Sequence, residues 1–206
     1  MASKRGIIVL AGGLGLRMGG KNKAFIKLKN KTMLEHVIEN TLKVSKNVAI
    51  CINKNQNPKT FKKLFPSLPV WRDRFQGKGP LAGIITGMRR LNVEYTAVVS
   101  CDTPFLNPEI LKQLFKKVKG YDAAIPIWSN GYLEPLQAVY KTRSFLSLAE
   151  NTIKMSDFSV LNIIRRLKNP LYVPVEAFKV LDPNLKTFFN VNTPEDLKKA
   201  LNMVKD

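Results

Sequence analysis

The sequence predicts an α/β chain: a mostly parallel, mixed sheet with helices on both faces. Three observations predict it. Short apolar runs rich in β-branched residues alternate with stretches of helical periodicity. Several of those runs are apolar at every position, the pattern of strands buried on both faces of a parallel sheet. Helix starts are marked by cap-and-proline signals, as in Asn107-Pro108-Glu109 and Thr193-Pro194-Glu195-Asp196. No linker, repeat or low-complexity stretch interrupts the 206 residues, so one domain over residues 1–206 is expected.

The first strand is Gly6-Ile7-Ile8-Val9-Leu10-Ala11, closed by Gly12-Gly13. Met33 to Leu42 is a helix, with apolar residues at 33, 34, 37, 38 and 42 on one face and His36 on the solvent face. Asn47 to Asn53 is the next strand, and Asn57-Pro58 caps a short helix. A third strand is expected over Leu68 to Trp71. The segment Gly77 to Gly83 reads as a loop leading into a helix through Leu91. Tyr95 to Cys101 is a very apolar strand that ends at Asp102. The helix after Asn107 buries Ile110, Leu111, Leu114, Phe115 and Val118, and Gly120 ends it. Further strands are expected at 122–127, 135–140, 171–175 and 187–191, further helices at 143–153 and 159–167, and a last helix after Thr193.

The composition narrows the function. Hydrophobic residues make up 45%, too many for a disordered basic tail. No apolar run reaches the ~20 residues of a membrane span, and the N-terminal run is too short for a signal peptide, so a cytoplasmic protein is expected. The formal charge is +19, and it is lopsided: residues 1–90 carry 19 basic and 3 acidic side chains, residues 91–206 carry 15 and 12. The N-terminal half is therefore expected to meet a polyanion, whether nucleic acid, a nucleoside triphosphate or a phosphorylated small molecule. The aromatics lie inside apolar runs rather than among the basic residues, which argues against a specific nucleic-acid surface. Cys51 and Cys101 have neither metal nor disulfide spacing and read as buried thiols.

Ligands of open parallel sheets bind beyond the carboxyl ends of the strands. After the first strand comes Gly12-Gly13-Leu14-Gly15-Leu16-Arg17-Met18-Gly19-Gly20-Lys21-Asn22-Lys23, dense in glycine and free of acids. Such a segment turns backbone N–H groups inward on an anion, and Arg17, Lys21 and Lys23 add charge that suits a triphosphate. It lacks the Gly-Lys-Ser/Thr ending of a Walker loop and fits the dinucleotide fingerprint poorly. Asp102 ends a doubly buried strand, where a carboxylate is costly unless it binds something. In a basic nucleotide site Mg²⁺ is the economical partner, because it takes one or two carboxylates plus phosphate oxygens. Asn53, Asn190 and Asn192 are also strand-terminal and offer both donor and acceptor.

These motifs resemble the molybdenum cofactor guanylyltransferases, within the glycosyltransferase-A-like nucleotidyltransferase superfamily. The resemblance runs from Leu10-Ala11-Gly12-Gly13-x-x-x-Arg17-Met18-Gly19-Gly20-x-x-Lys23 through Gly79-Pro80-Leu81-Ala82-Gly83, Cys101-Asp102-Thr103-Pro104 and Pro135-Leu136-Gln137-Ala138-Val139-Tyr140 to Asn190-Val191-Asn192-Thr193-Pro194. It implies a Rossmann-like nucleotidyltransferase fold, with a nucleotide-binding half over about 1–105 and an acceptor-binding half over about 106–206. It also implies transfer of GMP from GTP to molybdopterin or Mo-molybdopterin, with release of pyrophosphate. The cofactor would be Mg²⁺, with Mn²⁺ as the alternative ion, and proteins of molybdenum cofactor biosynthesis would be partners.

Position by position, the resemblance implies that Leu10, Ala11, Gly12, Gly13, Lys23, Asn53, Asp73, Gly79 and Asp102 bind the nucleotide. Arg17, Lys23 and Asp102 would be catalytic, Asp102 and Asn192 would hold the metal, and Gln137, Asn190 and Arg165 would meet the acceptor. Two positions depart from the family pattern. Asn22 stands where many relatives have Asp. Ser159-Val160 is followed by Leu161 rather than arginine, with Arg165 and Arg166 a turn later. Readings left open are a molybdopterin cytidylyltransferase, a phospholactate guanylyltransferase and a basic nucleic-acid-binding protein.

Overall fold

Ile7, Ile8, Val9 and Leu10 point alternately to opposite faces of strand β1 (Arg5–Leu10) and feed two separate cores. Ile7 and Val9 enter one hydrophobic cluster, Ile8 and Leu10 the other. That alternation makes β1 the centre of a sheet covered on both sides. The computed structural model describes residues 4–13, 15, 18, 20, 22–73, 79–154 and 158–204.

A seven-stranded sheet carries the fold. In chain order its strands are β1, β4 (Val48–Ile52), β5 (Val70–Arg72), β6 (Tyr95–Ser100), β7 (Ala123–Ile127), β8 (Gln137–Lys141) and β9 (Pro170–Pro174). Their spatial order is β5-β4-β1-β6-β8-β7-β9. Strand β8 alone runs against its neighbours, pairing antiparallel with β6 and β7; the other pairs are parallel. The expected mixed, mostly parallel sheet is therefore found. A separate hairpin of β2 (Lys27–Leu28) and β3 (Lys31–Thr32), absent from the sequence reading, turns at Lys29 with φ +56°.

The helices follow their capping chemistry. In α1 (Met33–Leu42) Thr32 and Glu35 form a reciprocal capping box, and Met33, Leu34, Val37 and Ile38 are buried. Asn57 caps α2 (Pro58–Leu64) and Asn107 caps α4 (Pro108–Lys117), whose expected stripe of Ile110, Leu111, Leu114, Phe115 and Val118 is buried. The remaining helices are α3 (Gly79–Leu91), α5 (Thr142–Lys154), α6 (Val160–Arg166) and α7 (Pro194–Met203), the last with a second capping box through Thr193 and Asp196. Among the described residues no helix is long and apolar enough to cross a membrane.

Several expectations need correction. Residues 187–191 form no strand: Lys186–Phe188 is a single 3-10 turn, entered through Leu185 at φ +51°. Phe188 and Val191 are buried without a strand ladder, Val191 tied to the Asp102 carbonyl by a single backbone bond. The Gly79–Gly83 stretch is helix rather than loop. It is the first turn of α3, and Gly83 and Gly87 let that helix lie directly on β1 and β4. A Cβ on Gly87 would fall 2.6 Å from Ile8 Cδ1 and 2.9 Å from Cys51 Sγ. His36 is half-buried rather than fully solvated, its Nε2 3.0 Å from the Leu28 carbonyl. The third strand begins two residues later than expected.

Candidate active site

A cleft of about 510 Å³ opens at the carboxyl ends of β1, β4 and β6. From β1 the chain builds outward through β4 and β5, then crosses back to β6 on the other side of β1. The cleft thus lies at the topological switch point, where such sheets bind ligands.

Two strand ends form its floor. After β1 the backbone runs through Gly12, Gly13 and Gly15; after β6 it runs through Cys101 and Asp102. Cys101 N–H donates to the Leu10 carbonyl at 3.0 Å, which holds the two exits side by side. Gly12 lies against the turn after β4, where an added Cβ would sit 3.1 Å from the Asn53 nitrogen. Glycine is favoured there because two backbones meet and a side chain would crowd them.

At the centre of the floor, three distant parts of the chain converge. Lys23 sits in a 3-10 turn (Lys23–Phe25) started by Asn22, whose side chain accepts from the Ala24 N–H at 3.1 Å. The Lys23 ammonium lies 3.4 Å from Asp102 Oδ2 and 2.5 Å from Asn192 Oδ1. Asn192 is fixed from behind: its N–H donates to Asp196 Oδ2 at 3.0 Å, and the Val191 N–H donates to the Asp102 carbonyl at 2.8 Å. Lys23 and Asp102 are mostly shielded from solvent, so their attraction is less screened than a surface pair's.

One atom of this group is unspent. Asp102 Oδ1 is buried and has no hydrogen-bond partner among the described residues. A buried carboxylate oxygen left unpaired is costly, and a hard cation would satisfy it. Among the described residues no cluster of three or more His, Cys, Asp or Glu side chains could hold a metal. One carboxylate with an amide oxygen beside it suits Mg²⁺, which draws its other ligands from water and phosphate. The residues present therefore fit that ion.

The walls carry further candidates. Asp73 lines the cleft from the end of β5 and is almost fully buried. Burial raises its proton affinity, although the Lys54 N–H donates to Oδ1 at 2.9 Å and pulls the other way. Asn53 lines the cleft, with its Oδ1 spent on the Asn55 N–H. Gly79, Pro80 and Gly83 of α3 form the opposite wall. Both cysteines also touch the cleft, which the sequence reading did not foresee. Burial pushes the Cys51 thiol up to about 12 and the Cys101 thiol higher still, so both are neutral wall groups.

The remaining expected residues fall elsewhere. Leu10 lines the cleft, but Ala11 is buried with its N–H on the Cys51 carbonyl and its carbonyl on Gln56 Nε2. Arg17 and Lys21 lie outside the described residues. Gln137 is buried at the start of β8, its Nε2 donating to the Thr187 carbonyl at 3.0 Å, and its neighbour Leu136 lines the cleft instead. Strand alternation explains that one-residue exchange. Asn190 donates to the Phe188 carbonyl and is not among the lining residues. Arg165 is exposed on α6, bonded to Asn162 Oδ1, away from the cleft.

Comparison with known proteins agrees with this geometry. Residues 7–169 match the family described as the MobA-like NTP transferase domain. A protein of Methanosarcina mazei named "Probable molybdenum cofactor guanylyltransferase" is 38% identical, covering 99% of this chain and 93% of its own. The "Molybdenum cofactor guanylyltransferase" of Shewanella pealeana is 35% identical over 95% of this chain and 92% of its own. The crystal structure of molybdopterin-guanine dinucleotide biosynthesis protein A from Archaeoglobus fulgidus superposes with a TM-score of 0.81 at 32% identity, covering 97% and 98% of the two chains. The crystal structure of 4-diphosphocytidyl-2C-methyl-D-erythritol synthase from Anaerococcus prevotii shares the fold at 14% identity and a TM-score of 0.72.

Proposed function

The chain belongs to the MobA-like NTP transferase family, among the molybdenum cofactor guanylyltransferases, and from that premise we propose that it transfers GMP from GTP to the terminal phosphate of molybdopterin or Mo-molybdopterin. One observation carries the reading to this chain's own residues: Lys23, Asp102 and Asn192 meet on the cleft floor, and Asp102 Oδ1 is left unpartnered among the described residues.

The acceptor's phosphate oxygen attacks the α-phosphorus of GTP, a new phosphoanhydride bond forms, and the bond to the β-phosphate breaks to release pyrophosphate. The nucleophile is already an anion, so no strong general base is needed. The obstacle is repulsion between phosphates and their alignment for in-line attack. Mg²⁺, when held by Asp102 with Asn192 beside it, supplies charge neutralisation across the phosphates. Lys23 donates to the oxygens that gain charge in the transition state. Arg17, placed by the sequence in the glycine segment, neutralises the departing phosphates. The backbone of Gly12 and Gly13 presents N–H groups to the triphosphate. Asp73 offers a carboxylate oxygen to the N1–H and 2-amino edge of guanine, a donor pair that cytosine lacks.

The proposed compartment is the cytoplasm, with which two buried free thiols are in keeping. The deciding experiment measures pyrophosphate release with purified acceptor and each of the four nucleoside triphosphates, with and without Mg²⁺. GTP- and Mg²⁺-dependent release is expected; release with CTP but not GTP refutes the guanylyl assignment. Asp102→Ala should abolish Mg²⁺-dependent turnover while circular dichroism remains that of the wild type. Turnover at the wild-type rate in that variant refutes the metal assignment.

A further inference from the structure

We propose that Glu134 is the carboxylate that recognises the pterin ring of the acceptor, in a subsite formed by the β7–β8 loop and the 186–192 segment. This rests on the acceptor being a pterin phosphate.

The location follows from strand polarity. Strand β8 is antiparallel to β6, with Val99 opposite Gln137, so β8 begins at the end where β6 reaches Asp102. Strand β7 is antiparallel to β8 and ends there too. The loop between them, residues 128–136, therefore rises at the cleft end of the sheet, and Leu136 lines the cleft itself. This loop faces the cleft from the side opposite Asp73, across four strand intervals between β5 and β8, or about 19 Å. A nucleotide, a diphosphate and a second ring system laid end to end need such a span.

The loop is braced. Trp128 N–H donates to the Tyr132 carbonyl at 2.8 Å, Glu134 N–H donates to the Pro126 carbonyl at 3.0 Å, and the Tyr140 hydroxyl donates to the Pro135 carbonyl at 2.7 Å. The Trp128 ring packs edge-on against Phe188, centroids 5.9 Å apart, which joins the loop to the segment that ends in Asn192.

Within this frame the Glu134 side chain is a half-buried acid that makes one hydrogen bond. Its Oε1 accepts from Trp128 Nε1 at 2.7 Å. Among the described residues its Oε2 has neither a hydrogen bond nor an ion pair, in a chain with 34 Lys and Arg. Burial raises its proton affinity.

The chemistry of the ligand matches. A pterin carries an N3–H beside a 2-amino group, the same donor edge that guanine presents through N1–H and its 2-amino group. A carboxylate with a free oxygen accepts from that pair. Asp73 has the same form at the other end of the cleft, one oxygen tied to a protein N–H and the other without a partner among the described residues. The two substrates share an edge; Asp73 lines the cleft at one end, and Glu134 stands at the other on the loop whose last residue, Leu136, lines it.

The test compares two pteridines that differ only at that edge. 6-Hydroxymethylpterin has the 2-amino group, and 6-hydroxymethyllumazine has an oxo group in its place. Binding of the pteridines and of MgGTP is followed by calorimetry. Wild type should bind the pterin about tenfold or more tightly than the lumazine, the scale of a hydrogen bond to a charged group. Glu134→Gln should bring the ratio close to one and leave MgGTP affinity within about twofold. A residue that only holds Trp128 in place would not change the pterin-to-lumazine ratio. An unchanged ratio in Glu134→Gln, or no preference in wild type, overturns the proposal. If Glu134→Gln does not fold, Trp128→Phe decides. It should weaken pterin binding several-fold without affecting MgGTP, and unchanged pterin binding overturns the proposal. Pterin binding with the expected ratio but no GTP binding in wild type would refute the guanylyl reading and leave this subsite standing.

Discussion

Replacing Gly87 with alanine tests the close seating of α3 on the sheet. Alanine should favour the helix by about 1 kcal/mol over glycine. Packing opposes it: the new methyl would lie 2.6 Å from Ile8 Cδ1, 2.7 Å from Ile8 Cγ1 and 2.9 Å from Cys51 Sγ. Ile8 is fully buried and Cys51 nearly so, so neither can swing into solvent. Overpacking of this kind costs about 1–3 kcal/mol, and three contacts under 3 Å on two buried residues place it in the upper part of that range. The net expectation is a loss of about 1–2 kcal/mol. With an unfolding entropy of about 2.1 cal/mol/K per residue, that lowers Tm by roughly 2–5 °C for 206 residues. The assay is thermal unfolding by circular dichroism, with Ile8→Val combined in a double-mutant cycle. Removing Cδ1 should make Gly87→Ala less damaging in the Ile8→Val background than alone. Gly87→Ala as stable as wild type, or two strictly additive effects, would refute the close-approach argument. The same displacement would move Gly83, Pro80 and Gly79, so a rise in KM for GTP should accompany it.

Lys23→Ala should lower kcat by about two to three orders of magnitude, as loss of one preorganised donor to developing charge does. A change in GTP affinity with kcat intact would show that the lysine binds the ground state only. Hydrogen bonds from Thr32, side chain and then backbone, hold the Glu35 carboxyl below its ordinary value. The sign follows: the folded chain binds that proton less readily than the unfolded chain, so the cap stabilises above the unfolded value and loses its effect as pH falls below about 4.5. Glu35→Gln should flatten the acid limb of a Tm-against-pH curve; an unchanged limb would exclude the cap as its source. Cys51, pushed up to about 12, and Cys101 should react with iodoacetamide slowly at pH 8 and quickly in guanidinium chloride. Fast modification of the native protein would contradict their burial.

Local rules reached furthest where one residue type has one common use. Thr32, Asn57, Asn107 and Thr193 start helices because a side-chain oxygen before a helical run has few other partners. Doubly buried strands were legible because uninterrupted β-branched runs fit little else. The failures came where tertiary packing supplied what local pattern seemed to demand. Phe188 and Val191 found burial without a ladder, and Gly79-Pro80 opened a helix because Gly83 and Gly87 fit against β1 and β4.

The site divides in the same way. Asp102 and Lys23 were legible from motif and strand end, and the structure brings them together. Asn192 was named from the resemblance as a second residue for the metal; its contact with Lys23, 169 positions away, is set by tertiary packing that no local rule encodes. Leu136 in place of Gln137 at the cleft is a matter of strand phase, which a motif does not specify.

The Lys23–Asn192 contact also sets a schedule. The two residues are 169 positions apart. At a synthesis rate of about 5–20 residues per second, Asn192 is made roughly 8–34 seconds after Lys23. Strands β1, β4 and β6 can pair well before then, yet the floor of the cleft has no Asn192 and no Val191 link to Asp102 until the end. A nascent chain would thus present the glycine segment and Asp102 without the clamp that organises them. Competence for chemistry arrives with the C-terminal segment, after the sheet that supports it.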